Sequence, residues 1–411
     1  MAVASDALAD LDAPRQPAVE DIGWVEIGGE RWPVPVGPAG DTDRLGDLVA
    51  AAAWWLAGLQ ERATDERDRH GRFPYAASLQ AALGDAPGGP LRPAVDAYRR
   101  RLAEALGAAG VEVPGKTWGG YAWAVALTHD LDAVRTRRLR ALAGSLRLGR
   151  PAEAVRRAIG PDRRRASIDA LHALAARHET AATWFVKPAA WTPEDVPGGL
   201  DGWLVDRLRQ WEAAGHEVGW HPGYGTHGRA DRLAEERARF ERAFGTTPRL
   251  ARTHFLRWAD PETPRELAAA GVRVDSTLGF AEHEGFRRGT ALPFRVFDVE
   301  ADAPLDLWEV PLAVMDTTLT EYRGLDADGQ AEALRQSFEA ARAAGGAAVV
   351  LWHNQVGGDG AAWDAGLATL DRALTTARAD GARLGPLGAL LDGWRGAGEP
   401  DRERPHGTAS A

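Results

Sequence analysis

The spacing of apolar and polar positions divides this chain into two stretches. From Trp118 onward, short apolar runs alternate with amphipathic segments. The runs are Ala122–Leu127, Ala181–Val186, Glu217–His221, Leu250–Phe255, Val272–Leu278 and Ala347–Trp352. Between them, Ser167–Arg177, Asp201–Ala214, Arg232–Phe244 and Pro264–Ala270 carry apolar residues at helical spacing. Repeated strand–helix units predict a mainly parallel sheet. At least six such strands over about 280 residues suit an irregular (β/α) barrel of about seven strands; a doubly wound open sheet is the alternative.

The stretch before it reads differently. Residues 17–40 suggest short strands and turns around Gly28 and Gly29. Leu45, Leu48, Val49, Ala52, Trp55 and Leu56 recur at helical spacing within 44–63. A second helix, Leu91–Leu106, is set up by Pro90 and Pro93. The expected organisation is a flexible start (1–16), a small α+β domain (17–116), the barrel (117–394) and a disordered tail (395–411).

Composition narrows the function classes. Hydrophobic residues make up 45% and charged residues 26%, the balance of a soluble globular protein. The net charge of -10 argues against broad nucleic-acid binding. The chain has no cysteine, so disulfides, thiolate metal sites and a cysteine nucleophile are all excluded. Any metal must be held by His, Asp or Glu. The first residues lack a signal-peptide pattern and no segment is apolar enough to span a membrane, so a cytoplasmic location is expected. Residues 135–165 stand apart, with eleven arginines against Glu153 and Asp162. They suit a solvated insertion between the first two barrel strands, or a patch for an anionic partner.

The candidate chemistry lies at strand ends. Asp130 and Asp132 follow the first barrel run and, two apart, point the same way. Two adjacent carboxylates are costly without a cation or a shared proton. The active groups of parallel α/β folds gather at the C-terminal ends of the strands. Those ends here deliver Asp130 and Asp132, then His221 with His227 in the following loop, then Arg252 and His254, then Asp275, then His353 with Asn354. His129 faces away from the aspartates and His216 begins its strand, so both suit structural roles. Trp220, Trp258 and Trp352 flank rim positions, as sugar-stacking rings or as core.

In this order the motifs resemble the polysaccharide deacetylase family, the NodB-homology domain of carbohydrate esterase family 4, over roughly Trp118 to Trp394. Thr128-His129-Asp130-Leu131-Asp132 is similar to its first motif. The resemblance implies a catalytic base at Asp130 and a metal ligand at Asp132. Gly215 to His221 resembles the approach to the histidine motif, which makes His221 a ligand. The second histidine, expected four residues on, is Gly225, and the nearest is His227, six residues on. Either His227 ligates across an insertion or the site is one ligand short. Arg252 resembles the arginine that orients the base, and Leu351-Trp352-His353 the motif whose histidine is a general acid. Tyr224, His254, Asp275 and Trp352 would line the substrate site. A backbone N–H of Gly223 or Tyr224 would receive the oxyanion, because Pro222 has none.

Arg69 to Pro74 resembles part of the N-terminal domain of unknown function found in a bacterial subgroup of this family. The resemblance implies a divalent metal, first zinc and otherwise cobalt or nickel. It implies hydrolysis of an N-acyl group, most naturally N-acetyl, on an amino sugar or polysaccharide. The alternatives are an amide hydrolase with a small non-sugar substrate, and a non-catalytic carbohydrate-binding protein with a degenerate site.

Overall fold

A computed structural model describes residues 20, 22–35, 40–41, 44–134, 149, 163–195, 200–354 and 360–396. The expected flexible start, most of the Arg-rich insertion and nearly all of the tail lie outside the described residues.

The first unit is a three-stranded sheet with helices against it. Strands β1 (Gly23–Ile27) and β2 (Glu30–Val34) form an antiparallel hairpin, and β3 (Gly40–Asp41) pairs parallel to β1. The hairpin turn needs positive φ at both central positions, and Gly28 (φ 64) and Gly29 (φ 80) supply it. The helix Leu45–Leu56 turns Leu48, Ala51, Trp54 and Trp55 inward. It stops earlier than the periodicity predicts because Gly58 takes a left-handed conformation, and a short helix, Leu59–Arg62, follows. The second predicted helix runs Ala94–Ala108.

The larger sheet carries the strand–helix repeat. Its strands are β4 (Trp123–Leu131), β5 (Thr183–Val186), β6 (Glu217–Trp220), β7 (Leu250–Ala251), β8 (Val274–Asp275), β9 (Phe294–Asp298), β10 (Ala303–Glu309), β11 (Leu312–Met315), β12 (Ala347–Leu351) and β13 (Ala382–Gly385). The order is β11-β12-β4-β5-β6-β7-β8-β10-β9, and β13 pairs with the first half of β4. Every pairing is parallel except that of β9 with β10. The sheet is a curled, open barrel; among the described residues no pairing joins β11 to β9.

The two faces of this sheet have separate cores, as strand alternation requires. Val125, Leu127, Trp184, Val186, Val218, Trp220, Val350 and Trp352 pack outward under the helices. Ala124, Ala126, Phe185, Leu250, Val274, Leu312, Val349 and Leu351 fill the inner face. On that parity Thr128 and Asp130 continue the inner face of β4, His353 that of β12, and Arg252 that of β7. β4 runs four residues past its apolar run because Thr128 to Leu131 pair with β5. The runs at β7 and β8 keep only two paired residues each before the chain turns away.

The first unit docks on the barrel through a buried ionic cluster. Glu61 accepts from Arg287 Nε (2.9 Å) and lies 3.2 Å from Arg288 Nε, while Arg288 Nη2 reaches Asp260 at 2.6 Å. Glu61, Arg287 and Arg288 are all buried. Burial alone would raise the Glu61 pKa, but the two guanidiniums outweigh it and hold it below its ordinary value. Glu61→Ala is expected to cost about 3–5 kcal/mol, because buried Arg287 loses its carboxylate and buried Arg288 one of its two. The wild-type contribution is present above the unfolded pKa of Glu61 and lost as pH falls through the lower folded value. Thermal melts from pH 7 down to pH 3 check both; equal melting of wild type and variant at pH 7 would refute the assignment.

Candidate functional site

Six strand ends, those of β4, β5, β6, β7, β11 and β12, bring polar groups to the C-terminal rim of the inner face. Asp130 Oδ1 accepts from Arg252 Nη1 at 3.0 Å. The guanidinium is fully buried and fixed on every side. It donates to the Ser276 carbonyl (2.8 Å), Ser276 Oγ (3.0 Å) and Thr128 Oγ1 (2.9 Å), and lies over the Phe185 ring. A bonded, desolvated pair of this kind holds its geometry tightly.

Beside it, Asp132, His221 and His254 converge, with one potential ligand atom from each within 4.8 Å of the others. His221 Nδ1 donates to the Arg252 carbonyl at 2.6 Å, which turns Nε2 toward Asp132, 3.4 Å from its Oδ1. His254 Nδ1 donates to Asp195 Oδ1 at 2.9 Å, and its Nε2 lies 3.3 Å from the same Asp132 oxygen. His221 Nε2 and Asp132 Oδ1 are buried without a hydrogen-bond partner. Orphaned buried acceptors are costly. Two imidazoles whose other nitrogens are held by a carbonyl and a carboxylate fit a divalent cation between them.

Lys187 follows β5 on its inner parity and is buried here. Its ammonium lies 3.7 Å from Asp132 Oδ1 and 3.5 Å from His254 Nε2. Burial would raise the Asp132 pKa, but His254, Lys187 and His221 outweigh it and hold the carboxyl well below its usual range. Burial disfavours a charged His254, yet Asp132 and Asp195 raise its pKa.

Across the cleft, Asp316, just past β11, accepts from the His353 backbone N–H (3.0 Å) and Nδ1 (2.6 Å). His353 Nε2 then faces Asp132 Oδ2 at 3.9 Å. Burial opposes a charge on this imidazole, but the carboxylates of Asp316, Asp132 and Asp130 prevail and raise its pKa to about 10.

The structure corrects four expectations. His227 is not in the ligand cluster. It is half-buried against a small cavity with Thr226, Thr253, Arg257 and Thr263, and burial together with Arg257 holds its pKa down to about 4. His254 stands in the place expected for it. Asp275 cannot line a substrate site, because it is fully buried and accepts from Thr277 N and Oγ1. Burial raises its pKa to about 6 and raises that of its neighbour Glu309 well above normal, as for two carboxyls sharing a proton. Trp352 has outward parity and packs in the outer core. The backbone N–H groups of Gly223 and Tyr224 are already taken, by Glu236 (3.0 Å) and Asp195 (2.7 Å).

His129 Nδ1 donates to the Trp352 carbonyl, and His216 Nδ1 accepts from Ala182 N and Trp184 Nε1, so both histidines tie strands together. Tyr224 sits at the rim, its hydroxyl 3.4 Å from His70 Nδ1. Trp220 is buried and donates to Glu236. Of the arginines at the end of the Arg-rich stretch, Arg163 faces Asp364 (3.5 Å), and Arg165 pairs with Asp201 (2.8 Å) and lies over Trp203. No helix among the described residues is long and apolar enough to cross a membrane.

Lys187, Asp195 and Asp316 are the groups that sequence reasoning misses. The strand-end rule reaches Lys187, one residue past β5. Asp195 lies in a loop, and Asp316 follows a strand without clear alternation.

The turn that carries His254 is strained. Phe255 (φ 62) and Leu256 (φ 54) both adopt left-handed backbone without being glycine, at about 1–3 kcal/mol each.

No protein-family model matches the chain, and no curated protein matches it. Solved structures do. One, from Mycobacterium smegmatis and assigned as a polysaccharide deacetylase, has 19% identity and a TM-score of 0.47, covering 71% of this chain and 98% of that one. A polysaccharide deacetylase from Bacillus cereus has 13% identity and a TM-score of 0.34, covering 64% and 92%. A pseudoenzyme of carbohydrate esterase family 4 from Bacillus anthracis has 15% identity and a TM-score of 0.34, covering 69% and 68%. Of these three solved structures, two carry the description polysaccharide deacetylase and the third that of a pseudoenzyme of the same esterase family.

Proposed function

We propose that this chain is a metal-dependent hydrolase that removes an N-acyl group, most directly N-acetyl, from an amino sugar or polysaccharide. One observation carries the proposal. The unpartnered Nε2 of His221 and the Nε2 of His254, 3.5 Å from the Lys187 ammonium, converge on an orphaned oxygen of Asp132, beside a carboxylate clamped by arginine and opposite a carboxylate-held imidazole.

Asp132, His221 and His254 would hold the cation. With two imidazoles, one carboxylate and no thiolate, zinc is the first choice, and cobalt or nickel suit the same donors. A bound divalent cation supplies Lewis acidity toward an acyl oxygen and acidity to water. Asp130 takes the proton of the attacking water, and the bond from Arg252 keeps it aimed. His353 carries its proton on Nε2, because Asp316 fixes Nδ1, and delivers it to the departing amine nitrogen. With the loop N–H groups occupied, the buried ammonium of Lys187 is left to donate to the developing oxyanion.

Asp316→Asn is expected to lower kcat/KM by about 10²-fold, within the range of acid–base contributions. Without that carboxylate the His353 pKa falls, so the alkaline limb of the pH–rate profile moves to lower pH. An unchanged limb would remove His353 from the proton-donor role.

A second reading is favoured by Lys187, whose ammonium lies where it can neutralise Asp132 without metal. In that reading the cluster loads no cation and the protein binds carbohydrate without turnover. Metal content of the purified protein, measured with acetate release from a panel of N-acetylated sugars, separates the two. Metal with acetate supports the hydrolase; neither supports the binding protein.

A further inference from the structure

The first unit does more than sit beside the barrel. Its segment Asp68–Arg72 is a self-contained turn. Asp68 Oδ1 accepts from the backbone N–H of His70 (2.8 Å) and Arg72 (2.9 Å), and Gly71 (φ 74) gives the turn its left-handed step. Asp68 Oδ2 accepts from Arg72 Nε at 2.7 Å, so the guanidinium leaves the turn in a fixed direction. Arg72 is itself buried.

That direction leads to the strained turn after His254. Arg72 Nη1 donates to the Phe255 carbonyl at 3.2 Å, and Nη2 to the Tyr322 hydroxyl at 3.1 Å. The His70 ring packs on the Phe255 ring with centroids 4.6 Å apart, and Phe255 packs on His254 at 4.7 Å. Two successive left-handed residues that are not glycine persist only where the surroundings over-determine them. Part of that determination comes from the barrel, where Thr253 Oγ1 donates to the Arg257 carbonyl at 2.6 Å. The first unit adds to it, through Arg72 and His70.

We propose that the first unit completes the metal centre, with Arg72 and His70 fastening the His254–Leu256 turn so that His254 Nε2 meets Asp132 and His221. Arg72 is a positioning residue: it touches neither the cluster nor a substrate, and it acts through the Phe255 carbonyl. The inference rests on the proposal that Asp132, His221 and His254 hold a divalent cation. Partners beyond the ligands commonly govern affinity about 10–100-fold.

The test uses the full chain and cobalt, whose ligand-field spectrum reports geometry independently of turnover. Wild-type protein is titrated with Co2+ beside Arg72→Met and His70→Ala. The expected result is a Kd for Co2+ at least about tenfold weaker in Arg72→Met, with a changed visible spectrum. A smaller change in the same direction is expected in His70→Ala. Wild-type Kd and spectrum in both variants would overturn this inference and leave the hydrolase proposal standing. Wild-type protein that binds no Co2+ would overturn both. Where Arg72→Met fails to fold, as judged by its melt, the variant at half-buried His70, His70→Ala, decides by the same two readouts.

Discussion

Asp130→Asn is expected to cut acetate release by about 10³-fold or more while metal binding stays at its wild-type level. General-base catalysis alone accounts for about 10²–10⁴-fold. Asparagine has the shape of aspartate and can still accept from Arg252, but its amide takes no proton from water. The cluster of Asp132, His221 and His254 does not include Asp130, so loading of the cation should survive. The change also leaves the buried Arg252 without a counter-charge, so the variant should melt earlier, and circular dichroism must confirm that it is folded. Turnover within tenfold of wild type, in a folded and metal-loaded variant, would exclude Asp130 as the base.

His254→Ala is expected to weaken metal binding by at least about a hundredfold, since losing a ligand exceeds the 10–100-fold typical of an outer partner. His227→Ala should leave affinity unchanged. The contrast matters because chain spacing alone favours His227. The structure shows why the expected position cannot serve. At Gly225 even a Cβ would lie 2.5 Å from Trp191 Cβ and 3.0 Å from Thr192 Cγ2, and the Gly225 N–H donates to Asp195. A histidine there would break the packing that orients Asp195, the partner of His254. In the proposed centre that ligand is His254, in the turn after β7. Metal titration of the two variants, with inductively coupled plasma analysis of the loaded proteins, distinguishes the positions; loss of binding in His227→Ala with retention in His254→Ala would reverse the assignment.

Much of this site is legible in strand parity. Asp130, His221, Arg252 and His353 all fall on the inner face at strand ends, and period-two alternation fixes that from the sequence. The same parity sends Trp352 outward, so its place in the outer core is legible too, although its position beside His353 suggests the rim. Asp275 is misleading for another reason. It stands at a strand end, but Thr277 and Glu309 close over it, and closure depends on β10, whose alternation is broken by an irregular register. The groups that orient the histidines were the least legible. Asp195 and Asp316 act through loop geometry, which pattern does not encode. The strained turn at Phe255 has no sequence signal, since nothing in His254-Phe255-Leu256 favours left-handed backbone.

The strand–helix repeat that begins at β4 invites treatment as a detachable module. The ionic cluster at Glu61 argues otherwise. Arg287 and Arg288 belong to the barrel, are buried, and meet Glu61 of the first unit. A shortened chain beginning at residue 117 would face the solvent with two guanidiniums shaped for a carboxylate it no longer has. It would also lose Arg72 from the turn beside His254. Such a fragment is therefore a poor surrogate for the whole: an inactive excised barrel would report on the missing half, not on the chemistry of its strand ends.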